Sequence, residues 1–259
     1  MRILFKLGAM LSLLSTALPV PAQTLRIAAA ADLQYAMSDL AVQFEKKSGV
    51  HVVATYGASG NFRSQIQNGA PFDMFFSADV EFPKQLISGG FAEADTLTLY
   101  AHGHLALWAA AEEKLELPRK GFEALKDPVV KRIAIANPEL APYGRAAVAA
   151  LQKAGVYEAV RPKLIYGENI SQAAQFAQSR NAQIGILALS LTFADGMKKG
   201  ETWEVPANLY PPVEQAAVVV STSANKKAAR AFLEFVKSRE GQQILTSYGL
   251  SAGASDHKP

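Results

Sequence analysis

The sequence predicts an α/β protein of two lobes, each a mostly parallel sheet flanked by helices, with extended strands linking the lobes. Apolar runs of strand length alternate with segments of helical periodicity along the whole chain, the pattern of crossover helices between parallel strands. The joints between them are short turns of small residues, as in Ala29-Ala30-Ala31-Asp32 and Tyr56-Gly57-Ala58-Ser59-Gly60. The 259 residues contain no cysteine, and a chain of this length buries enough surface for two compact lobes, or one large domain, without disulfides.

The first 22 residues stand apart from this pattern. Arg2 and Lys6 form a positive start, residues 7–20 are nearly all apolar or small, and Val20-Pro21-Ala22 offers a small-x-small cleavage site. This is the pattern of a secretory signal peptide cut after Ala22. The apolar run is too short to span a bilayer well and polar sequence follows it. With no cysteine for lipid attachment, a free periplasmic protein is expected.

Residues 25–30 form the first predicted strand. Leu33, Met37, Leu40, Ala41 and Phe44 recur at helical spacing, and Lys46-Lys47-Ser48-Gly49 closes that helix with positive charge and glycine. A strand over 50–55 precedes a helix that starts near Ser59-Gly60 and runs through Phe62 and Ile66 to Asn68-Gly69. Residues 72–77 are a third strand, and Pro83 sits in the first turn of a helix ending at Ser88-Gly89-Gly90. The extended apolar stretch 98–109 is predicted to cross to the second lobe. There, strands at 132–136, 163–166 and 183–187 alternate with helices at 143–154 and 170–179. The long apolar strand 213–221 is predicted to cross back, and one closing helix over 225–245 buries Ala229, Phe232, Phe235 and Val236. The expected division is residues 23–103 with 216–259 in one lobe and 104–215 in the other. The chain shows neither a repeat of solenoid period nor a low-complexity linker.

The formal charge of +3 includes Arg2 and Lys6, so the chain after Ala22 is nearly neutral. It has no basic run and no interleaving of aromatic with basic residues, which excludes a nucleic-acid or anionic-membrane surface.

Four strand-to-helix turns carry the candidate site: Asp32 and Ser59 in the first lobe, Pro142-Tyr143-Gly144 and Asn169-Ile170-Ser171 in the second. Ligands of open α/β sheets collect beyond the carboxyl ends of the strands. If the lobes face each other, four helix N-termini converge there, each with unpaired N–H groups and partial positive charge. Ser59 and Tyr143 add hydroxyls, while Gly57, Ala58 and Gly60 allow close backbone approach. Taken singly, a serine cap or a packed tyrosine is the commoner role; the convergence of four turns points to a binder of small oxyanions.

The chain resembles the periplasmic molybdate-binding proteins of ABC importers. The matching motifs are Ala29-Ala30-Ala31, Tyr56-Gly57-Ala58-Ser59-Gly60, Asn68-Gly69-Ala70-Pro71-Phe72-Asp73, Phe75-Phe76-Ser77-Ala78-Asp79, Asn137-Pro138 with Ala141-Pro142-Tyr143-Gly144, and Gly185-Ile186. They span the chain after the leader in order, and Asn-Gly-Ala-Pro followed by Phe-Phe-Ser-Ala-Asp is the most specific. The resemblance implies a type II two-lobed binding protein, a monomer, that holds molybdate or tungstate in the interlobe cleft, passes it to a membrane permease, and uses no cofactor and catalyses no reaction. It places the oxyanion contacts on Ala31, Asp32, Ser59, Tyr143 and Ile170, with Ser59 giving hydroxyl and N–H, Tyr143 its phenol and Ile170 its backbone N–H. Molybdenum would be held as molybdate, not as a bare cation. Some family members carry a ligand tyrosine after Gly-Ile; the position here is Ala188, which leaves Tyr143 as the tyrosine donor.

Asp32 departs from the family, which usually has serine or asparagine there. An ionised carboxylate within about 4 Å of a dianion costs on the order of 1–4 kcal/mol even with substantial screening. Three readings compete. Asp32 caps its own helix, the favoured reading because Asp is a preferred cap; or it accepts a hydrogen bond from a protonated oxyanion such as hydrogen phosphate; or it is itself protonated.

Other residues read as structural. His102 and His104 lack a third ligand at useful spacing for zinc, and Asp73 and Asp79, flanking a strand, suit turns or caps. A periplasmic hydrolase with Ser59 as nucleophile is the alternative from another class. It needs a base, and His51, His102 and His104 all lie outside the turns that face the cleft. Gly57-Ala58-Ser59-Gly60 is not a nucleophile elbow, and no phosphate-loop motif is present.

Overall fold

Alternating strands and helices build the first half of the chain: β1 (Thr24–Ala30), α1 (Gln34–Ser48), β2 (His51–Gly57), α2 (Ser59–Gln67), β3 (Met74–Ser77), α3 (Glu81–Ser88) and β4 (Thr98–Gly103). In this computed structural model, which describes residues 23–253, the chain then passes through His104 alone into β5 (Leu105–Ala109) of a second sheet. Next come α4 (Leu117–Lys120), β6 (Ile133–Ala136), α5 (Pro142–Lys153), α6 (Tyr157–Val160), β7 (Leu164–Gly167), α7 (Ile170–Gln178), β8 (Ile184–Ala188) and β9 (Glu201–Glu204). The chain returns to the first sheet with β10 (Val213–Val219) and ends in α8 (Lys226–Lys237), α9 (Arg239–Ser247) and β11 (Ser251–Ala252). The predicted leader lies outside the described residues.

The strand orders are β11-β4-β10-β3-β1-β2 and β7-β6-β8-β5-β9. Pairing is parallel within β2-β1-β3 and β7-β6-β8, where crossover helices connect the strands. The first strand after each passage between sheets, β5 or β10, runs antiparallel to both of its neighbours. Both sheets are therefore mixed. The predicted crossing at 98–109 splits into β4 and β5, one in each sheet. The predicted return does not lie in β10, which belongs wholly to the first sheet; residues 205–212 make that passage.

Sequence dictates the local ends. Helix α1 buries Ala36, Met37, Leu40 and Phe44 on one face and stops at Gly49 in the left-handed region (φ 70°), with Lys46 and Lys47 in its last turn. The closing helix is two helices. Ser238 is extended (φ −62°, ψ 161°), and its Oγ accepts the Gly241 N–H at 3.2 Å, so it ends α8 and caps α9. The edge strands β9 and β11 escape prediction because they are short and lack buried side chains.

Alternation along β3 sends Phe75 and Phe76 to opposite faces of the first sheet. On one face Phe232 of α8 meets Phe44 edge-on at 5.0 Å and Phe76 at 5.8 Å between ring centres. The core of the second sheet extends across to Ala30, Ala31, Ala58 and Ala78 at the strand ends of the first. The two lobes thus meet over small side chains. Phe232 is fully buried, so Phe232→Ala is expected to cost about 3–5 kcal/mol; urea unfolding should show a lower midpoint with an unchanged slope.

Candidate functional site

The end of β1 turns directly into a helical turn over Ala31–Leu33, which places Asp32 at the boundary between the lobes. Neither this turn nor α1 has a side-chain cap, so the cap reading of Asp32 does not hold. Its carboxyl faces the other lobe instead. The Tyr143 hydroxyl donates to Oδ2 at 3.1 Å, and the Gln215 side-chain amide donates to the same oxygen at 2.6 Å. Gln215 also donates to the Tyr143 oxygen at 3.0 Å, and the Tyr100 hydroxyl donates to Gln215 Oε1 at 2.8 Å. Oδ1 of Asp32 is buried and has no hydrogen-bond partner among the described residues.

Burial raises the Asp32 carboxyl from its ordinary 3.8 to about 6, against the lowering effect of the Gln215 and Tyr143 hydrogen bonds and of its own backbone N–H. Burial, then the Asp32 charge, pushes the Tyr143 and Tyr100 phenols well above their usual range, so both keep their protons. Gly103 makes this packing possible. A Cβ on it would stand 2.0 Å from the Tyr143 hydroxyl and 2.8 Å from the Gln215 amide nitrogen.

Ser59 is the first residue of α2, buried, with Ala58 in the cap position. Its Oγ accepts the Ala78 N–H at 3.1 Å, and its own proton has no acceptor among the described residues. Ile170 is the first residue of α7, whose Asn169 cap accepts the Gln172 N–H at 3.0 Å. The next residue, Ser171, donates to Ala31 O at 3.1 Å. Ala31, Tyr143 and Ile170 lie in one buried cluster that also holds Ala58, the neighbour of Ser59. The five predicted residues therefore come from four strand-to-helix turns at the lobe boundary.

Further bonds join the lobes around them. Gly60 N–H donates to Leu140 O at 3.0 Å, Asn61 to Glu168 at 2.9 Å, and Ser190 to Asp32 O at 2.8 Å. Arg145 pairs with Asp79 and lies 5.4 Å above the Phe82 ring. Asp79 also accepts the Phe82 N–H, the cap role expected of it, whereas Asp73 departs from its expected turn or cap role and accepts from Arg26 N–H, Ser223 and Asn225 across the fold. No histidine bonds to Ser59 among the described residues. His51 meets Glu45, and His104 meets Ser251 and Glu204. The described residues contain no cluster fit for a metal ion.

Gln215, Tyr100 and Gly103 were not singled out from the sequence. Gln215 had a legible signal, an amide in a strand whose neighbours Ala216 to Val219 are all apolar; a buried amide needs partners.

Two α/β lobes joined by extended passages, with hydroxyls and helix N-termini from both meeting at a buried boundary, define a two-lobed solute-binding protein. The chain belongs to the bacterial extracellular solute-binding protein family, whose sequence model matches residues 25–251. It is 39% identical to the molybdate-binding protein ModA of Azotobacter vinelandii, over 88% of this chain and 90% of that one. It is likewise 39% identical to the molybdate-binding protein ModA of Rhodobacter capsulatus, over 93% of each. The solved periplasmic molybdate-binding protein of Azotobacter vinelandii matches the fold with a TM-score of 0.83 at 32% identity, covering 89% of this chain and 100% of that one. Among the described residues no helix is long and apolar enough to cross a membrane.

The raised Asp32 carboxyl has a consequence for stability. Between the ordinary 3.8 and about 6 the folded protein holds a proton that the unfolded chain has released, so stability falls as pH rises through that window. Full ionisation costs the fold about 3 kcal/mol by this linkage. Asp32→Asn keeps an acceptor for Tyr143 and Gln215 without the charge. It is expected to melt above the wild type at about pH 7.5, with the difference closing toward about pH 4, as read by thermal unfolding across pH.

Proposed function

We propose that this chain is the periplasmic receptor of an ABC importer for molybdate, with tungstate as a second ligand. It binds and delivers an anion and catalyses no reaction. The observation that carries this reading is the likeness, over nearly the full length of both partners, to two proteins named as molybdate-binding. The buried lobe boundary supports it, because the donors gathered there suit an oxyanion. Ser59 offers a hydroxyl proton and the N–H of a helix start, Ile170 the N–H of another, Tyr143 a phenol, and Ala31 and Asp32 the turn after β1.

In this reading residues 1–22 direct export and are removed. The expected boundary at 215/216 moves to the start of β10, which belongs wholly to the first sheet, so residues 23–103 with 213–259 form one lobe and 104–212 the other. The protein acts as a monomer and needs no cofactor. The lobes desolvate the anion between them and present their joined outer surface to a membrane permease. Sulfate has the same charge and shape, so selectivity rests on the size of the enclosed space.

A second reading is favoured by Asp32. A carboxyl with an unpartnered oxygen suits an anion that carries its own proton, such as hydrogen phosphate. The hydrolase alternative has no base beside Ser59 to support it.

Calorimetric titration with molybdate, tungstate, sulfate and phosphate decides between the anions. Molybdate and tungstate are expected to bind one per chain. Binding of phosphate with no response to molybdate overturns the reading. Ser59→Ala is expected to weaken molybdate binding by about 1.5–3 kcal/mol, the value of a hydrogen bond to a charged group.

A further inference from the structure

One buried group has no part in the receptor reading as it stands. Asp32 Oδ2 accepts two hydrogen bonds, from Tyr143 and Gln215, while Oδ1 is buried without a partner. An ionised carboxylate in this place harms an oxyanion site in two ways. It holds the single proton of Tyr143, and it presents a bare, negatively charged oxygen at the lobe boundary. A neutral acid reverses both. Oδ2 is already served by donors, so the added proton belongs on Oδ1, and that O–H becomes a donor. The weaker acceptor left at Oδ2 stays satisfied by Gln215, which releases the Tyr143 proton toward a ligand. One proton on Asp32 therefore changes the number of donors available to an anion by two.

We propose that Asp32 works as a neutral carboxylic acid in the anion-bound protein, its Oδ1–H donating to the oxyanion, so that capture of the anion takes up one proton from solvent. This rests on the oxyanion-receptor reading and adds a regulation to it: affinity set by pH through one side chain.

The surroundings leave the proton no competitor. The turn holding Asp32 packs against α1, β2, α7 and the turn over residues 189–193. The titratable groups of these elements that reach the same core are Tyr35 and Tyr56, and α7 and residues 189–193 carry none. Tyr143 on α5 and Tyr100 on β4 are phenols that stay protonated, and Tyr210 lies beyond them. Asp79 and Arg145 pair with each other, and Glu168 ahead of α7 accepts from Asn61. Among the described residues no cation offsets the burial of Asp32, which raises its carboxyl to about 6 before any anion arrives. A dianion beside it raises that value further.

The test is calorimetric titration of sodium molybdate between about pH 5.5 and about pH 8.5, in pairs of buffers with different ionisation enthalpies, with wild type and Asp32→Asn. The asparagine is a permanently neutral analogue of the acid, with one acceptor oxygen and an NH2 group whose two N–H donors stand where the acid has one O–H. Wild-type affinity is expected to fall about tenfold per pH unit above about 6, with proton uptake approaching about one per molybdate. Asp32→Asn should bind with no such slope and no uptake, and more tightly than wild type at about pH 8 by about tenfold or more. Asp32→Asn that merely disturbs packing would weaken binding at every pH and leave the slope in place, which overturns the proposal. So does a wild-type affinity that is flat with pH, or proton uptake near zero; the wild-type buffer pairs decide even if the variant does not fold. Failure of molybdate to bind at any pH overturns the receptor reading and this proposal together, whereas pH-independent binding overturns this proposal alone.

Discussion

A carboxyl group buried without a cation depends on hydrogen-bond donors, and the lobe boundary is arranged around supplying them to Asp32. Its two donors come from α5 in the second lobe and β10 in the first, and a third group, Tyr100 on β4, holds the Gln215 amide in place. An unsatisfied carboxyl in such a place costs several kcal/mol. The contact therefore constrains four elements at once. It requires β10 to carry a polar side chain inward, β4 to end in a glycine beside that side chain, and the start of α5 to reach the end of β1.

The last requirement is met by small residues. Ala30, Ala31, Ala58 and Ala78 end the strands and turns of the first sheet and enter the core of the second. Gly60 lets α2 approach the chain at Leu140, whose carbonyl oxygen would stand 2.9 Å from any Cβ there. The polar bonds that ring this contact are individually weak. Arg145–Asp79 and Asn61–Glu168 are partly exposed, and pairs of that kind contribute between zero and about 1 kcal/mol each. The lobes are held by these small side chains, by solvent-screened pairs and by the buried bonds that Tyr143 and Ser190 make to Asp32.

The parts of this arrangement that were legible in the sequence follow from local chemistry. The alternation of apolar runs, the Lys-Lys-Ser-Gly stop of α1 and the four small-residue turns each impose their own local structure, and the structure has all of them. What was not legible depends on tertiary neighbours. Residues 225–245 have one continuous amphipathic pattern, and only the extended backbone at Ser238 divides it. The antiparallel strands β5 and β10 have the same apolar composition as parallel ones, so their direction comes from the passages between sheets. Asp32 is the sharpest case. Local propensity favours a cap, because Asp at a helix start usually bonds its own backbone. The competing donors, Tyr143 and Gln215, lie 111 and 183 residues away in sequence, beyond what local pattern can weigh.

The hydrogen bonds of the buried network have a direction, and the direction singles out two protons. Tyr100 donates to Gln215 Oε1, with Ser77 O as a longer alternative at 3.2 Å. That contact orients the amide so that its nitrogen faces Asp32 and Tyr143. With Gln215 donating to its oxygen, Tyr143 has its acceptor capacity engaged and its one proton left to give. Asp32 Oδ2 takes that proton in the arrangement observed, while Ser59 keeps a hydroxyl proton with no acceptor and Oδ1 stays bare. Every bond upstream of Asp32 is thus determined by neighbours within the fold. The proton of Tyr143 and the protonation of Oδ1 are the two choices left open, and both lie where the lobes meet. The network is thus fixed by the fold at one end and, among the described residues, keeps unmet hydrogen-bonding capacity at the other, where Ser59 and Asp32 Oδ1 stand at the lobe boundary.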